Sequence, residues 1–169
     1  MLKFVIIFFI FFTNSLADTN YFLTLRNEKV NLRLGPSFDY PVKIIYKKKY
    51  FPVLITDSSD NFRKVQDFEK NSGWVHISQL SKKKAGLTLE DSILFSKPAI
   101  YSKPLAKMEK GRLIIIKKCR NDWCKIKTDK YSGWLEKNKI WGKLWNYFEL
   151  FLEAQNLSNK KYQTVLANG

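Results

Sequence analysis

One tetrapeptide occurs twice. Ser72-Gly73-Trp74-Val75 returns sixty residues later as Ser132-Gly133-Trp134-Leu135. Upstream of each stands a short run opened by an aromatic, Phe62-Arg63-Lys64-Val65 and Trp123-Cys124-Lys125-Ile126, and before those lie Val53-Leu54-Ile55 and Leu113-Ile114-Ile115-Ile116. Leu32 to Ser37 aligns with Leu94 to Ala99, and Pro41 with Pro104 after a one-residue insertion. Landmarks in one order at offsets of 60 to 63 describe a tandem repeat, and self-similarity of this kind constrains the fold more than any single motif.

Each copy reads as four or five short strands punctuated by turn residues. Val30-Asn31-Leu32-Arg33-Leu34 alternates apolar and polar, the period of a half-buried strand. Gly35-Pro36 ends it, since glycine reaches backbone angles closed to other residues and proline cannot extend a ladder. Further turns fall at Asp57-Ser58-Ser59-Asp60-Asn61, Asn71-Ser72-Gly73, Arg120-Asn121-Asp122 and Tyr131-Ser132-Gly133. Strands of this length and spacing predict a small all-β barrel or sandwich per copy. A unit of roughly 50 to 60 residues only just buries a core, so the two are expected to pack on each other. Ser81-Lys82-Lys83-Lys84-Ala85-Gly86 reads as a solvated hinge between them.

The ends differ in character. Residues 1–17 carry a basic Lys3, an apolar stretch over 4–12 and a small-x-small site at Ser15-Leu16-Ala17. That stretch falls short of the ~20 apolar residues a bilayer span needs, and the pattern is that of a secretory signal peptide. The expected parts are a signal peptide at 1–17, a first unit at 18–82, a second at 83–142 and a tail at 143–169. In the tail, Leu144, Trp145, Phe148, Phe151 and Leu152 recur at helical spacing, which predicts a short amphipathic helix.

The formal net charge of +15 becomes +14 without Lys3, and it favours anionic partners. Two origins stand side by side: selection for anion binding, and AT-rich codons that enrich lysine, asparagine, isoleucine and phenylalanine together. The basic residues are 25 Lys and only 5 Arg, and phosphate readers favour the bidentate arginine fork. Nucleic acid is therefore a weak expectation.

Catalytic and metal chemistry find little material. His76 is the only histidine and follows Trp74-Val75 at a strand end, where a structural role is expected. One His and two Cys offer too few metal ligands, no glycine-rich loop cradles phosphate, and the acidic residues are scattered. No cofactor and no catalytic group are expected. Cys119 and Cys124 flank Arg120-Asn121-Asp122-Trp123, a hairpin turn between two strands. Residues opposite each other across such a pair approach within disulfide range, and an oxidising compartment would close the bond.

The sequence from Val30 to Ser37, then Tyr40-Pro41-Val42, an aromatic strand near Phe62 and a closing Gly73-Trp74-Val75 resembles the bacterial SH3-like domain of exported proteins. The second copy keeps Trp123-Cys124-Lys125-Ile126, Gly133-Trp134-Leu135 and Ile140-Trp141-Gly142, as in the second repeat of a paired envelope subfamily, but has Phe95 and Lys97 where the first has Arg33 and Gly35. The resemblance covers about residues 28–142 and implies two five-stranded SH3-like barrels in tandem with a non-catalytic binding role in the periplasm. The implied ligand class is peptidoglycan, as wall peptide or glycan, or an envelope protein. No ALYDY-type cluster is present, so polyproline recognition is not implied.

A groove is expected on the first copy, with Phe38, Tyr40 and Trp74 as stacking surfaces and Arg33 and Lys43 as carboxylate holders. Against this, Trp74 and Trp134 also read as core plugs of the two barrels, which leaves the turn residues Phe38 and Tyr40 as the better exposed candidates.

Overall fold

The computed structural model describes residues 20–142; the expected signal peptide and C-terminal helix lie outside the described residues. The first unit runs β1 (Tyr21–Leu25), β2 (Val30–Arg33), β3 (Val42–Tyr46), β4 (Pro52–Ser59), β5 (Phe62–Gln66), β6 (Ser72–His76), a 3-10 turn at Ile77–Gln79 and β7 (Leu80–Ser81). The second repeats this series as β8 (Ala85–Thr88), β9 (Ser92–Phe95), β10 (Pro104–Met108), β11 (Leu113–Arg120), β12 (Trp123–Thr128), β13 (Tyr131–Glu136), a 3-10 turn at Lys137–Lys139 and β14 (Ile140–Gly142).

Both sheets are antiparallel and have the same order, β3-β2-β6-β5-β4-β1-β7 and β10-β9-β13-β12-β11-β8-β14. Seven strands appear where five were expected because β1 and β7, or β8 and β14, add to the far edge of β4 or β11. Even the irregularities repeat. The register shifts between Ile55 and Asp57 in β4 and between Ile116 and Lys118 in β11, and such bulges bend a long strand so that its sheet can curl.

Period-2 alternation supplies each core. In the first unit Leu32, Val53, Ile55, Val65, Val75 and Leu80 are buried; in the second their counterparts are Leu94, Ile114, Ile116, Ile126, Leu135 and Ile140. The alternation also places the repeated tryptophans. Gly73 and Val75 point inward and Trp74 outward, half-buried, and Gly133, Trp134 and Leu135 follow suit. The core-plug expectation is thus corrected: the inward position belongs to the glycine. A Cβ on Gly73 would stand 2.7 Å from the Arg33 carbonyl oxygen, and one on Gly133 2.6 Å from that of Phe95, so each glycine lets the opening hairpin cross close over the closing strand.

The two units are joined by contacts rather than by a free hinge. Trp141 of β14 lies edge-on between Phe22 and Phe68 of the first unit, with ring centroids 5.0 and 5.4 Å away. Thr24 Oγ1, itself buried, donates to the Ser81 or the Lys83 carbonyl, both at 3.2 Å, and the Ile116 N–H donates to the Lys84 carbonyl at 3.0 Å. The supposed linker is therefore tied from both sides, because its backbone supplies acceptors that each unit would otherwise lack.

Candidate functional site

On the first unit, the segment after β2 is held by Arg33. Its Nη1 donates to the Phe38 carbonyl at 2.9 Å and to the Tyr40 carbonyl at 2.7 Å, and the guanidinium sits 5.5 Å from the centre of the Phe38 ring. Ser37 Oγ donates to Asp39 Oδ2 at 2.8 Å and accepts from the Asp39 N–H at 3.1 Å, which tightens the turn. The Phe38 ring rests on Phe62 and His76, at 5.2 and 5.1 Å, yet stays 60% exposed; Tyr40 lies over Gly35 and is 47% exposed. Lys43 Nζ donates to the Ser72 carbonyl at 3.0 Å, and Arg33 pairs with Trp74 across β2 and β6. All five residues singled out in the sequence thus share one face. Arg33 and Lys43 are engaged with backbone carbonyls there, so they brace this face instead of presenting unoccupied charge. His76 Nδ1 accepts from the Ser78 N–H at 3.3 Å and caps the 3-10 turn, the structural role expected of it.

The corresponding face of the second unit is open. A cavity of about 720 Å³ lies over the β9–β10 hairpin, with Ile93, Phe95, Ile100, Leu105 and Ala106 forming its apolar lining. Ile93 is 47% exposed and Ile100 65%, and Tyr101 beside it is 91% exposed. The charges at its margin are paired: Lys107 with Asp91 at 3.3 Å, and Lys139 with Glu136 at 3.3 Å and Glu90 at 3.5 Å. Asp91 also accepts from the Lys110 N–H at 3.0 Å, and this hydrogen bond first, with Lys107 second, holds its carboxyl below the ordinary 3.8. The difference between the faces traces to single positions. Phe95 stands where the first unit has Arg33 and turns edge-on to Trp123 at 5.8 Å, and Glu136 stands where the first has His76, so no aromatic triad fills the space.

The family model of the bacterial SH3 domain matches the chain twice, over residues 26–82 and 91–142, more than half of its length. The chain belongs to the bacterial SH3 domain family. Each match falls within one of the two seven-stranded sheets and leaves out only that sheet's first strand, β1 or β8. Among solved structures, NlpC2 and NlpC1 from Trichomonas vaginalis are similar at 13% identity and a TM-score of 0.35 each, over 75% and 76% of this chain. The matches cover 49% and 48% of those proteins, so the chain spans about half their length. No curated protein matches it.

The second SH3 domain also carries the disulfide. Cys119 and Cys124 face each other across β11 and β12 and are bonded, with their α-carbons 4.0 Å apart. The first SH3 domain has no such staple: Ser58 and Arg63 stand at the equivalent pair of β4 and β5, and a polar knot forms instead at the other end of β5, in the turn to β6. Asp67, buried, accepts from the Glu69 and Asn71 N–H groups at 2.9 and 2.8 Å and from the Tyr46 hydroxyl at 2.9 Å. Burial chiefly, and the Asp67 carboxylate next, push the Tyr46 hydroxyl well above its usual pKa. The groove residues of the second SH3 domain escaped sequence reasoning. One signal was there: Ile100-Tyr101, two large apolar residues in a turn between Pro98 and Pro104.

Proposed function

We propose that this protein is a non-catalytic binding module of the bacterial envelope, exported to the periplasm, and that its second SH3 domain takes up a cell-wall peptide or glycan segment. The open apolar cavity over β9–β10 carries this reading. Its lining suits the face of a sugar ring or an alkyl side chain, and concave apolar surfaces with a few polar groups are the usual form of a ligand site. The paired margin suits a partner that bears both charges: a ligand carboxylate can bond Lys107 or Lys139 while a ligand ammonium bonds Asp91 or Glu136. Such an exchange changes net charge little, so binding should depend weakly on salt. A second reading has its own observation. Phe38 and Tyr40 stand exposed on a braced turn, a preorganised surface for a protein partner on the first SH3 domain.

The test is co-sedimentation with purified sacculi at low and near-physiological salt. Retention at both is expected, with Ile100→Asp weakening it roughly tenfold, as loss of an apolar anchor does. Retention that survives Ile100→Asp but is lost in Tyr40→Ala would move the site to the first SH3 domain. Retention at low salt only would reduce the wall to a generic polyanion, and none at either would end the wall reading.

A further inference from the structure

A second concave site lies where the two SH3 domains meet, and its chemistry is unlike that of the groove. It encloses about 420 Å³, within the range of small-ligand sites. Three parts of the chain converge on it: Lys48 and Tyr50 from the segment before β4, Lys83 from the interdomain connection, and Arg112, Lys117 and Lys127 from β11, its approach and β12. Asp129 is its sole carboxylate, and Arg112 already pairs with it at 3.2 Å. Among the described residues no carboxylate pairs with Lys48, Lys83, Lys117 or Lys127. Around the groove, by contrast, both lysines are matched by acids.

Like charges gathered in a concavity repel one another and gain from a bound counter-ion. The place is also built, not incidental. Lys83 is fixed by its N–H, which donates to Ser81 Oγ at 3.1 Å, and by its carbonyl, which accepts from buried Thr24. Tyr50 adopts a left-handed backbone, φ 61°, that an aromatic residue seldom takes, with its N–H donating to the Leu25 carbonyl at 2.8 Å. That conformation sets its ring at the cavity wall, 5.9 Å from the Lys83 ammonium and 5.3 Å from that of Lys49. Surrounding contacts hold this strained backbone in place.

We infer that the interdomain cleft binds a multivalent phosphate anion. A single carboxylate would leave most of this charge unmatched. A di- or triphosphate, or two phosphates close together on one scaffold, matches four lysines drawn from separate segments, and compact ammonium groups act on phosphate as point charges. The inference does not rest on the wall reading, since the groove contributes no residue to the cleft.

Titration calorimetry of the full chain with inorganic tripolyphosphate, at low and near-physiological salt, tests this. The triple variant Lys83→Gln, Lys117→Gln, Lys127→Gln should lose at least about tenfold in affinity, from the removal of three charge-assisted contacts. A control that removes equal charge elsewhere, Lys64→Gln with Lys97→Gln and Lys103→Gln, should lose less than about twofold, as expected of distant screened charges. Equal losses in the two triples, equal binding of polyglutamate, or no binding of tripolyphosphate and of vesicles alike would overturn the site. Phosphatidylcholine vesicles with and without phosphatidic acid separate the sources. Capture by phosphatidic acid that tripolyphosphate displaces assigns a lipid phosphate, and binding of tripolyphosphate without vesicle capture assigns a soluble one.

Discussion

The two SH3 domains share strand order, bulges and core positions, yet they treat one surface in opposite ways. In the first, Arg33 holds the loop after β2 and Phe38 rests against Phe62 and His76, so the face is filled by its own side chains. In the second, Phe95 and Glu136 replace Arg33 and His76, and the space stands open. The frame is maintained by inward-facing residues and by glycines at close crossings. The surface is set by a few outward residues that the frame does not need, which is how one fold carries different sites.

Three measurements probe that division. The largest effect should come from the shared frame. Gly73→Ala and Gly133→Ala each force a Cβ against a backbone carbonyl within 2.7 Å, and each should cost about 2–3 kcal/mol in denaturant unfolding, the scale of overpacking. Similar losses would uphold the common frame; a loss confined to one variant would show that the hairpins cross differently in the two domains. Next comes the staple that only the second SH3 domain has. Cys119→Ser with Cys124→Ser opens a loop of six residues and should cost about 2 kcal/mol on the loop-entropy account. Hydrogen exchange should quicken in β11 and β12 while the β4 and β5 amides keep their protection. Faster exchange in both domains would mean that the staple serves the whole chain.

The smallest effect is a titration. Because the Asp91 carboxyl lies below 3.8 when folded, the stability it adds is present above its unfolded pKa and is lost as pH falls through the folded one. The Lys110 amide, which donates to Asp91, should therefore shift in NMR spectra with a midpoint below 3.8. A midpoint at or above that value would remove Asp91 from the bonded margin of the groove.

The frame was legible because it obeys period and position. Alternation in Val30-Asn31-Leu32-Arg33, the turn at Gly35-Pro36 and the Cys119–Cys124 hairpin all follow from local rules, and the repeat supplied the order of strands twice. The tryptophans were misplaced because size suggested burial, whereas the strand's pleat gave the inner position to Gly73 and Gly133. The lysine-rich connection looked free because its side chains are polar; its backbone, which composition does not reveal, is what Thr24 and Ile116 hold. The groove was hidden for a related reason. The exposure of Ile93 and Ile100 depends on what does not stand opposite them, a fact about pairs of residues far apart in the chain.

Trp141 belongs to the last strand of the second domain but spends its ring on Phe22 and Phe68 of the first. It makes a ruler of the molecule. A polymer that engaged both domains would meet the second across this contact, so its second attachment would be an intramolecular event whose effective concentration the contact sets, and not a wandering tether. Repeats spaced to match it would gain avidity, and those out of step would gain none.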